Sequence, residues 1–299
     1  YIGYQHFTED GWRDYSPSHV NQLFTKVGWE SDTSRYEVSY SGAHNLLIGN
    51  GLTPKDLLGS DLEGIHTLED ETKNNYGKLV LSATEFWDDD TMFSGNAYWL
   101  RSDRKTGNGD LNDEYANPGD DEGVQNATGT KQDAYGANGQ ITFDQDWLGR
   151  RNQLVVGTGV EYSLIKFMQS EEEIATLLAN GFFGGDREDP EQSTGLTGKT
   201  KTFSLFATNT HALNDQWNIN TAARYNFIQV DNQDTFNPPG GASSLSGKHH
   251  YERVNPSVGL TFHPTDNYTT YASYSESNRA PTSIELGCSN EAQPCNLPT

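Results

Sequence analysis

Apolar residues are scarce in this sequence. They make up 33% of its 299 residues, where globular domains run at about 45–50% with glycine included. No stretch approaches the ~18 uncharged apolar residues of a membrane-spanning helix, and no basic-then-apolar signal segment opens the chain. A helical membrane protein is excluded. Cysteine is nearly missing: Cys288 and Cys295 are the two present, too few for a disulfide-dense scaffold or a four-Cys zinc site. Positive charge is short as well, with 20 Lys and Arg against 42 Asp and Glu and a formal charge of −22. Such a balance leaves phosphate repulsion uncompensated, so nucleic acid is excluded as a partner. The histidines lack metal spacing, His249-His250 being a bare doublet, and there is neither a Gly-x-Ser-x-Gly elbow nor a phosphate-cradling glycine loop. Nothing points to catalysis, and no cofactor is expected.

What the chain does have is aromatics, at 11%, and a period of two. From Ala134 to Phe143, Tyr135, Ala137, Gly139, Ile141 and Phe143 alternate with Gly136, Asn138, Gln140 and Thr142. The same alternation runs through Trp217–Gln229 and Tyr251–Phe262, giving each strand one face for an apolar medium and one for a polar one. Weaker copies lie around Tyr1–Phe7, His19–Trp29, Arg35–Ala43, Tyr76–Trp87, Met92–Arg101, Leu154–Met168, Thr200–Ala212 and Tyr268–Ser275. This makes about eleven strands, mostly ~9–13 residues, nearer the ~9–11 of a tilted bilayer-crossing strand than the ~5–6 usual in soluble sheets.

The connections alternate too. Short turns are predicted at Ser31–Ser34, Asp88–Thr91, Asp146–Arg151, Leu213–Gln216 and His263–Asn267, and long connections at Thr8–Ser18, His44–Asn75, Ser102–Asp133, Gln169–Lys199, Val230–His250 and from Glu276 onward. Transmembrane barrels have this asymmetry, with tight turns at one end and long loops at the other. Trp29, Trp87, Trp147, Trp217 and Phe262 all fall beside the short turns, where an interfacial aromatic belt lies. Charge follows the same division: acids minus bases give −4 for His44–Asn75, −5 for Ser102–Asp133 and −5 for Gln169–Lys199. The expected fold is therefore all-β, an antiparallel transmembrane β-barrel segment. An odd strand count does not close a bacterial barrel, and Asn290–Thr299 reads as loop; at roughly 27 residues per strand, a 22-stranded barrel needs roughly 600 residues, so residues 1–299 are expected to form about half of one.

The stretch Asn255–Pro281, NPSVGLTFHPTDNYTTYASYSESNRAP, continuing TSIELGCSNEAQPC, resembles the central barrel of TonB-dependent outer-membrane receptors. In that family a Tyr-Ala-Ser-Tyr-Ser-Glu type run leads into an Arg-Ala-Pro-Thr and Glu-Leu motif at an outer loop. Gly11–Ser16, GWRDYS, and Gly49–Leu58, GNGLTPKDLL, look like further members of the set. The family's plug domain, TonB box and final aromatic strand have no counterpart in these residues. The resemblance implies a location in the cell outer membrane, contact with its lipid, coupling to the TonB system through a plug, and a small-molecule or chelate ligand. It places Tyr274, Arg279 and Glu285 at a loop base near the ligand entrance; Arg279 either meets an anionic ligand or pairs with a loop carboxylate. It also suggests that the inward residues Arg224, Arg253, Asn220 and Asn255, with Asn218 and Asn226, contact a plug, the alternative being a hydrated wall.

Three further constellations carry expectations. Cys288 and Cys295 suit a local disulfide formed in an oxidising periplasm. Asp110, Asn112 and Glu114 invite a calcium reading, but an EF-hand begun at Asp110 has Tyr115 where glycine is required, leaving at most a looser loop site within what reads as a solvated acidic loop. Ser170-Glu171-Glu172-Glu173, followed by Ile174, Leu177, Leu178 and Gly181, carries capping-box and helical spacing and predicts a short helix in an outer loop. The expected function is import of a scarce ligand, such as a ferric siderophore, cobalamin or an oligosaccharide, with TonB-supplied energy. Its rivals are a passive porin-like channel and a barrel enzyme such as an outer-membrane phospholipase.

Overall fold

A computed structural model describes residues 1–299 apart from 50, 52, 54, 56–58, 60, 66, 68–69, 112–122, 175–189, 242 and 289–299, and apart from the side chains of Leu111, Ile174 and Cys288. Among the described residues are eleven strands: β1 (Ile2–Glu9), β2 (Ser18–Glu30), β3 (Ser34–Ile48), β4 (Glu71–Phe86), β5 (Thr91–Leu111), β6 (Gly123–Asp144), β7 (Asn152–Ile174), β8 (Glu191–Ala212), β9 (Trp217–Asp234), β10 (Gly247–Thr265) and β11 (Tyr268–Ser275). A helix, α1 (Ser283–Cys288), follows them. The strands form one sheet in chain order, and each consecutive pair is antiparallel.

Burial is inverted relative to a soluble sandwich. Among the described residues the buried hydrophobic side chains are Ile65, Ala134, Phe167, Leu196 and Val230, while Ser204, Gln169, Thr194, Asn232 and Asp234 are buried as well. Large apolar side chains stand exposed instead, among them Val27, Leu81, Val160, Leu205, Val254 and Val258. A water-facing patch of that extent is a liability, and a lipid-facing one is a requirement. On β9 the outward positions run from Trp217 through Ile219 and Tyr225 to Phe227 before Gln229 and Asp231 begin. Ten residues at ~3.3 Å each, tilted by ~40°, give a band about 25 Å tall, the height of a barrel's apolar zone.

The short-turn end carries the aromatic belt. Trp29 stacks on Tyr36 at 5.6 Å, Trp87 on Phe93 at 6.3 Å and Trp217 on Phe262 at 4.2 Å, and Trp147 tilts against His211 at 5.3 Å. Beside Trp147 the turn closes through a Trp147–Arg150 bridge with Leu148 and Gly149 both at positive φ. Two positive φ values at the centre match the right-handed strand twist of a tight hairpin, and glycine meets that demand without steric cost.

The structure corrects three expectations. The outer parts of β5 to β8 were expected as loop, yet these strands reach 21, 22, 23 and 22 residues. Strands continue wherever a neighbour satisfies their backbone, so the wall rises well beyond the ~9–11 residues that hydrocarbon alone requires. The helix expected from Ser170 is absent at its start. Ser170, Glu171, Glu172 and Glu173 pair with Ala127, Asn126, Gln125 and Val124 as the outer end of β7, and ladder bonds to β6 override the capping pattern. Finally, Asp110 is a strand residue opposite Val124, not part of an acidic loop. Its proposed companions Asn112 and Glu114 lie outside the described residues, as do Leu177, Leu178 and Gly181 and the Cys288–Cys295 pairing. Among the described residues no group of three or more His, Cys, Asp or Glu side chains is gathered for a metal.

Candidate functional site

The period of two decides what each face carries. Arg224 pairs with Asn255, Asn226 with Arg253 and Asn220 with Gly259, so Arg224, Arg253, Asn220 and Asn255 share one face of β9 and β10. The chain after β11 folds back over that same face. An open cavity of about 540 Å³ lies between Asn278–Ile284 and the wall residues Glu161, Ser163, Thr200, Thr202, Arg224 and Asn226. Its wall side mixes polar residues with Ile165 and Ile228, and Arg224 is the cation that the wall contributes, Arg279 lying in the segment above. Arg224 is aimed by hydrogen bonds to Ser204 Oγ at 2.8 Å and Asn226 Oδ1 at 3.0 Å, and its guanidinium lies 5.4 Å from the Phe206 ring centre.

The segment over the cavity is held at several points. Arg253 reaches Glu276 at 3.1 Å, and Asn255 Nδ2 donates to Asn278 Oδ1 at 2.9 Å. Asn232 Nδ2 donates to the Ser283 carbonyl at 2.8 Å. Helix α1 then docks onto β8, with Ser283 only 3% exposed. A Cβ on Gly198 would collide with Ser283 Oγ and Cβ, so a residue without a side chain is what permits this approach.

Arg279 and Glu285 are locked together by two parallel bonds, at 2.7 and 2.8 Å. Glu285 also accepts from the Thr282 backbone N–H at 2.8 Å, and the Glu285 N–H donates to Thr282 Oγ1 at 3.2 Å. Thr282-x-x-Glu285 is thus a reciprocal capping box that starts α1. The guanidinium of Arg279, with the Thr282 bonds, holds the Glu285 carboxyl down at about 2. The partnership raises Arg279 in turn. Glu276 is lowered by the Tyr274 hydroxyl and by Arg253.

Tyr274 is placed differently from its expected companions. Its register partner is Val258, which puts it on the apolar face with Val254 and Leu260, away from Asn255 and the cavity; its hydroxyl reaches Glu276 at 2.9 Å. Residues that the sequence reading passed over enter instead. Glu161 and Ser163 line the cavity from β7, and Glu161 also accepts from the Tyr98 hydroxyl. Their signal was the odd-numbered inward face of β7, legible once Gly157 and Gly159 are assigned to it. A second site-like cluster joins the two other quoted motifs: Arg13 donates to Thr53 Oγ1 at 2.5 Å, to the Gly64 carbonyl at 2.7 Å and to the Gly51 carbonyl at 3.4 Å. GWRDYS and GNGLTPKDLL, far apart in sequence, are one outer tie.

The sequence matches the family described as TonB dependent receptor-like, beta-barrel, over residues 6–297. The chain belongs to this family. As a TonB-dependent receptor barrel it is an all-β transmembrane element, and Arg224 and α1 lie on the same face of its sheet. Its fold is similar to that of the siderophore receptor PiuA from Acinetobacter baumannii, with TM-score 0.75, 13% identity, and 99% of this chain covering 47% of that one. It is similar to the open form of the ferric-catecholate import receptor Fiu from E. coli K12, with TM-score 0.72, 14% identity, and coverage of 94% and 50%. The ferripyoverdine receptor of the outer membrane of Pseudomonas aeruginosa, solved bound to ferripyoverdine, gives TM-score 0.72, 14% identity, and coverage of 92% and 37%. The chain therefore spans half or less of these structures. No curated protein matches the sequence.

Proposed function

We propose that this chain is about half of the strands of an outer-membrane receptor barrel that imports a ferric siderophore with energy supplied through TonB. The observation that carries the reading is the open cavity under Asn278–Ile284, on the polar-residue face of a receptor-family barrel, with Arg224 in its lining. The similar structures are named as siderophore and ferric-chelate receptors, which favours a ferric chelate over cobalamin or an oligosaccharide. Ferric siderophores of the catecholate and carboxylate kinds are anionic, and Arg224 is a permanently charged donor suited to such groups. Arg279 is already committed to Glu285, so its part is to hold the segment that roofs the cavity. The inward polar row of Asn220, Asn255 and Arg253 suits contact with a plug, and the three bonds to Asn278, Glu276 and Ser283 fix the roof from the same wall. The whole of residues 1–299 acts as one barrel portion in this reading.

The test is uptake. Cells carrying the complete receptor as their sole route should accumulate labelled ferric siderophore and lose that uptake when TonB is deleted. Diffusion of small sugars at equal rate with and without TonB would support the passive channel instead, and lipid hydrolysis by the purified protein would support the barrel enzyme.

A further inference from the structure

Seven cations stand on the outward face of five adjacent strands: Lys73 on β4, Arg101 and Lys105 on β5, Lys131 on β6, Lys166 on β7, and Lys199 and Lys201 on β8. All seven are exposed. Counted from the short-turn ends at Phe86, Thr91, Asp144, Asn152 and Ala212, each falls within 10 to 14 residues of its strand end. With ~3.3 Å per residue and ~40° of tilt, that places them in one level ring about 25–35 Å above the short turns, directly beyond the apolar band. Only Asp103 and Asp133 share the ring on these strands, so it is locally positive in a chain whose formal charge is −22.

The fold by itself gives no reason for this arrangement and in two places works against it. Lys131 lies directly opposite Lys166, and Lys73 directly opposite Lys105. Like charges facing each other across a strand pair destabilise a sheet. Partial relief comes from Asp103, 3.6 Å from Lys131, and from Glu71 beside Lys73, whereas Lys105, Lys166, Lys199 and Lys201 have no ion pair among the described residues. An anion seated between facing ammonium groups converts each repulsive pair into a chelate. At this height beside the hydrocarbon band, a supply of anions is built into the surroundings, namely lipid headgroups.

We propose that the outer wall of β4–β8 is a binding surface for the phosphate groups of membrane lipid, with Lys131–Lys166 and Lys73–Lys105 as its two-pronged seats and Lys199 and Lys201 extending it. The proposal rests on the membrane-spanning reading but not on the identity of the transported ligand. Phosphate monoester headgroups fit best, because each presents up to two charges to a lysine pair, and the ring fixes the rotational position of the barrel relative to bound lipid.

The complete receptor, purified in zwitterionic detergent and exchanged into nanodiscs of phosphatidylcholine with or without phosphatidic acid, tests this by native mass spectrometry of retained lipid. Phosphatidic acid should be retained in preference, and Lys131→Gln/Lys166→Gln should bind it roughly 30-fold more weakly, at about 1 kcal/mol per cation. Lys26→Gln/Lys78→Gln removes the same charge from the Arg224 face and should leave retention unchanged; an equal loss there means net charge alone acts and overturns the ring. Equal retention of both lipids by the unaltered receptor also overturns it while sparing the membrane reading, whereas failure to take up either lipid sinks both. Competition by inorganic phosphate as effective as phosphatidic acid would show a free-anion site and remove the lipid assignment. Should the double variant fail to assemble, the unaltered receptor decides: its preference must fall as ionic strength rises, and a salt-independent preference is incompatible with the proposal.

Discussion

Arg279 and Glu285 face each other through two parallel hydrogen bonds, Nη1 to Oε2 at 2.7 Å and Nη2 to Oε1 at 2.8 Å. A cation that the sequence offers to an incoming ligand is therefore spent on its own loop. The pair spans the start of α1, so it sets where the helix begins and how Asn278–Ile284 crosses the cavity. If the pair is the working unit, Arg279→Ala and Glu285→Gln in the complete receptor each weaken siderophore uptake at limiting ligand, and the double variant is no worse than either single one. Heat-modifiable mobility in detergent gels should show the barrel folded in all three. Additive losses would mean that Arg279 meets the ligand independently.

The pH behaviour of the same pair has a definite sign. Glu285 is held at about 2, below its ordinary value of 4.5. A lowered carboxylate contributes to the folded arrangement above its unfolded value and loses that contribution as pH falls through the lowered one. Protection of the α1 amides, taken relative to the unfolded chain at each pH, should be full above about pH 4.5 and fall progressively between there and about pH 2. Protection that stays constant across that window would contradict the pairing.

Gly198 makes a packing prediction. Ser283 Oγ and Cβ stand so close to its Cα that there is no room for a methyl group. Gly198→Ala should displace α1 at a cost of about 1–3 kcal/mol while the sheet stays intact. A cysteine placed at Ser283, protected from thiol reagents in the parent receptor, should become reactive when Gly198→Ala is added.

Register can be read from the two faces of one strand pair. Leu205 is half exposed on the apolar face, and Arg224 lies on the other. Leu205→Arg should destabilise the barrel by roughly 2–4 kcal/mol if the site is near the bilayer midplane, and Thr202→Arg on the Arg224 face far less. Spin labels at Trp217 and Tyr225 should report lipid, and labels at Asn220 and Arg224 water. Asn220 in lipid would mean a one-residue slip of the whole strand.

Orientation follows from the connections. Pro239→Cys in the β9–β10 connection should react with an impermeant thiol reagent applied to intact cells, and Asp89→Cys in the β4–β5 turn should not. The reverse pattern would turn the cavity toward the periplasm.

Period, turn lengths and aromatic placement settle the strand count, the order of short and long connections and the separation of Trp217 and Tyr225 from Asn220 and Arg224 onto opposite faces, because each depends on residues close in sequence. Strand length at the outer end was not legible this way. β6 and β7 continue to Gly123 and Ile174 because each supplies the other's backbone partners, and Gly-, Ser- and Thr-rich runs such as Asn126–Thr130 carry no alternation to announce it.

Two nearly identical signals make the division plain. Ser170-x-x-Glu173 and Thr282-x-x-Glu285 both spell a capping box, and only the second caps a helix. Ser170 follows a strand whose neighbour β6 is still within reach, so its backbone enters the ladder. Thr282 follows Pro281, where the chain has left β11 and joins no strand among the described residues, so its amide and hydroxyl turn to Glu285. The sequence determined that both segments can satisfy their own backbone locally. Whether a neighbouring strand is present to satisfy it better is a property of the assembled sheet, and only the tertiary structure decides it.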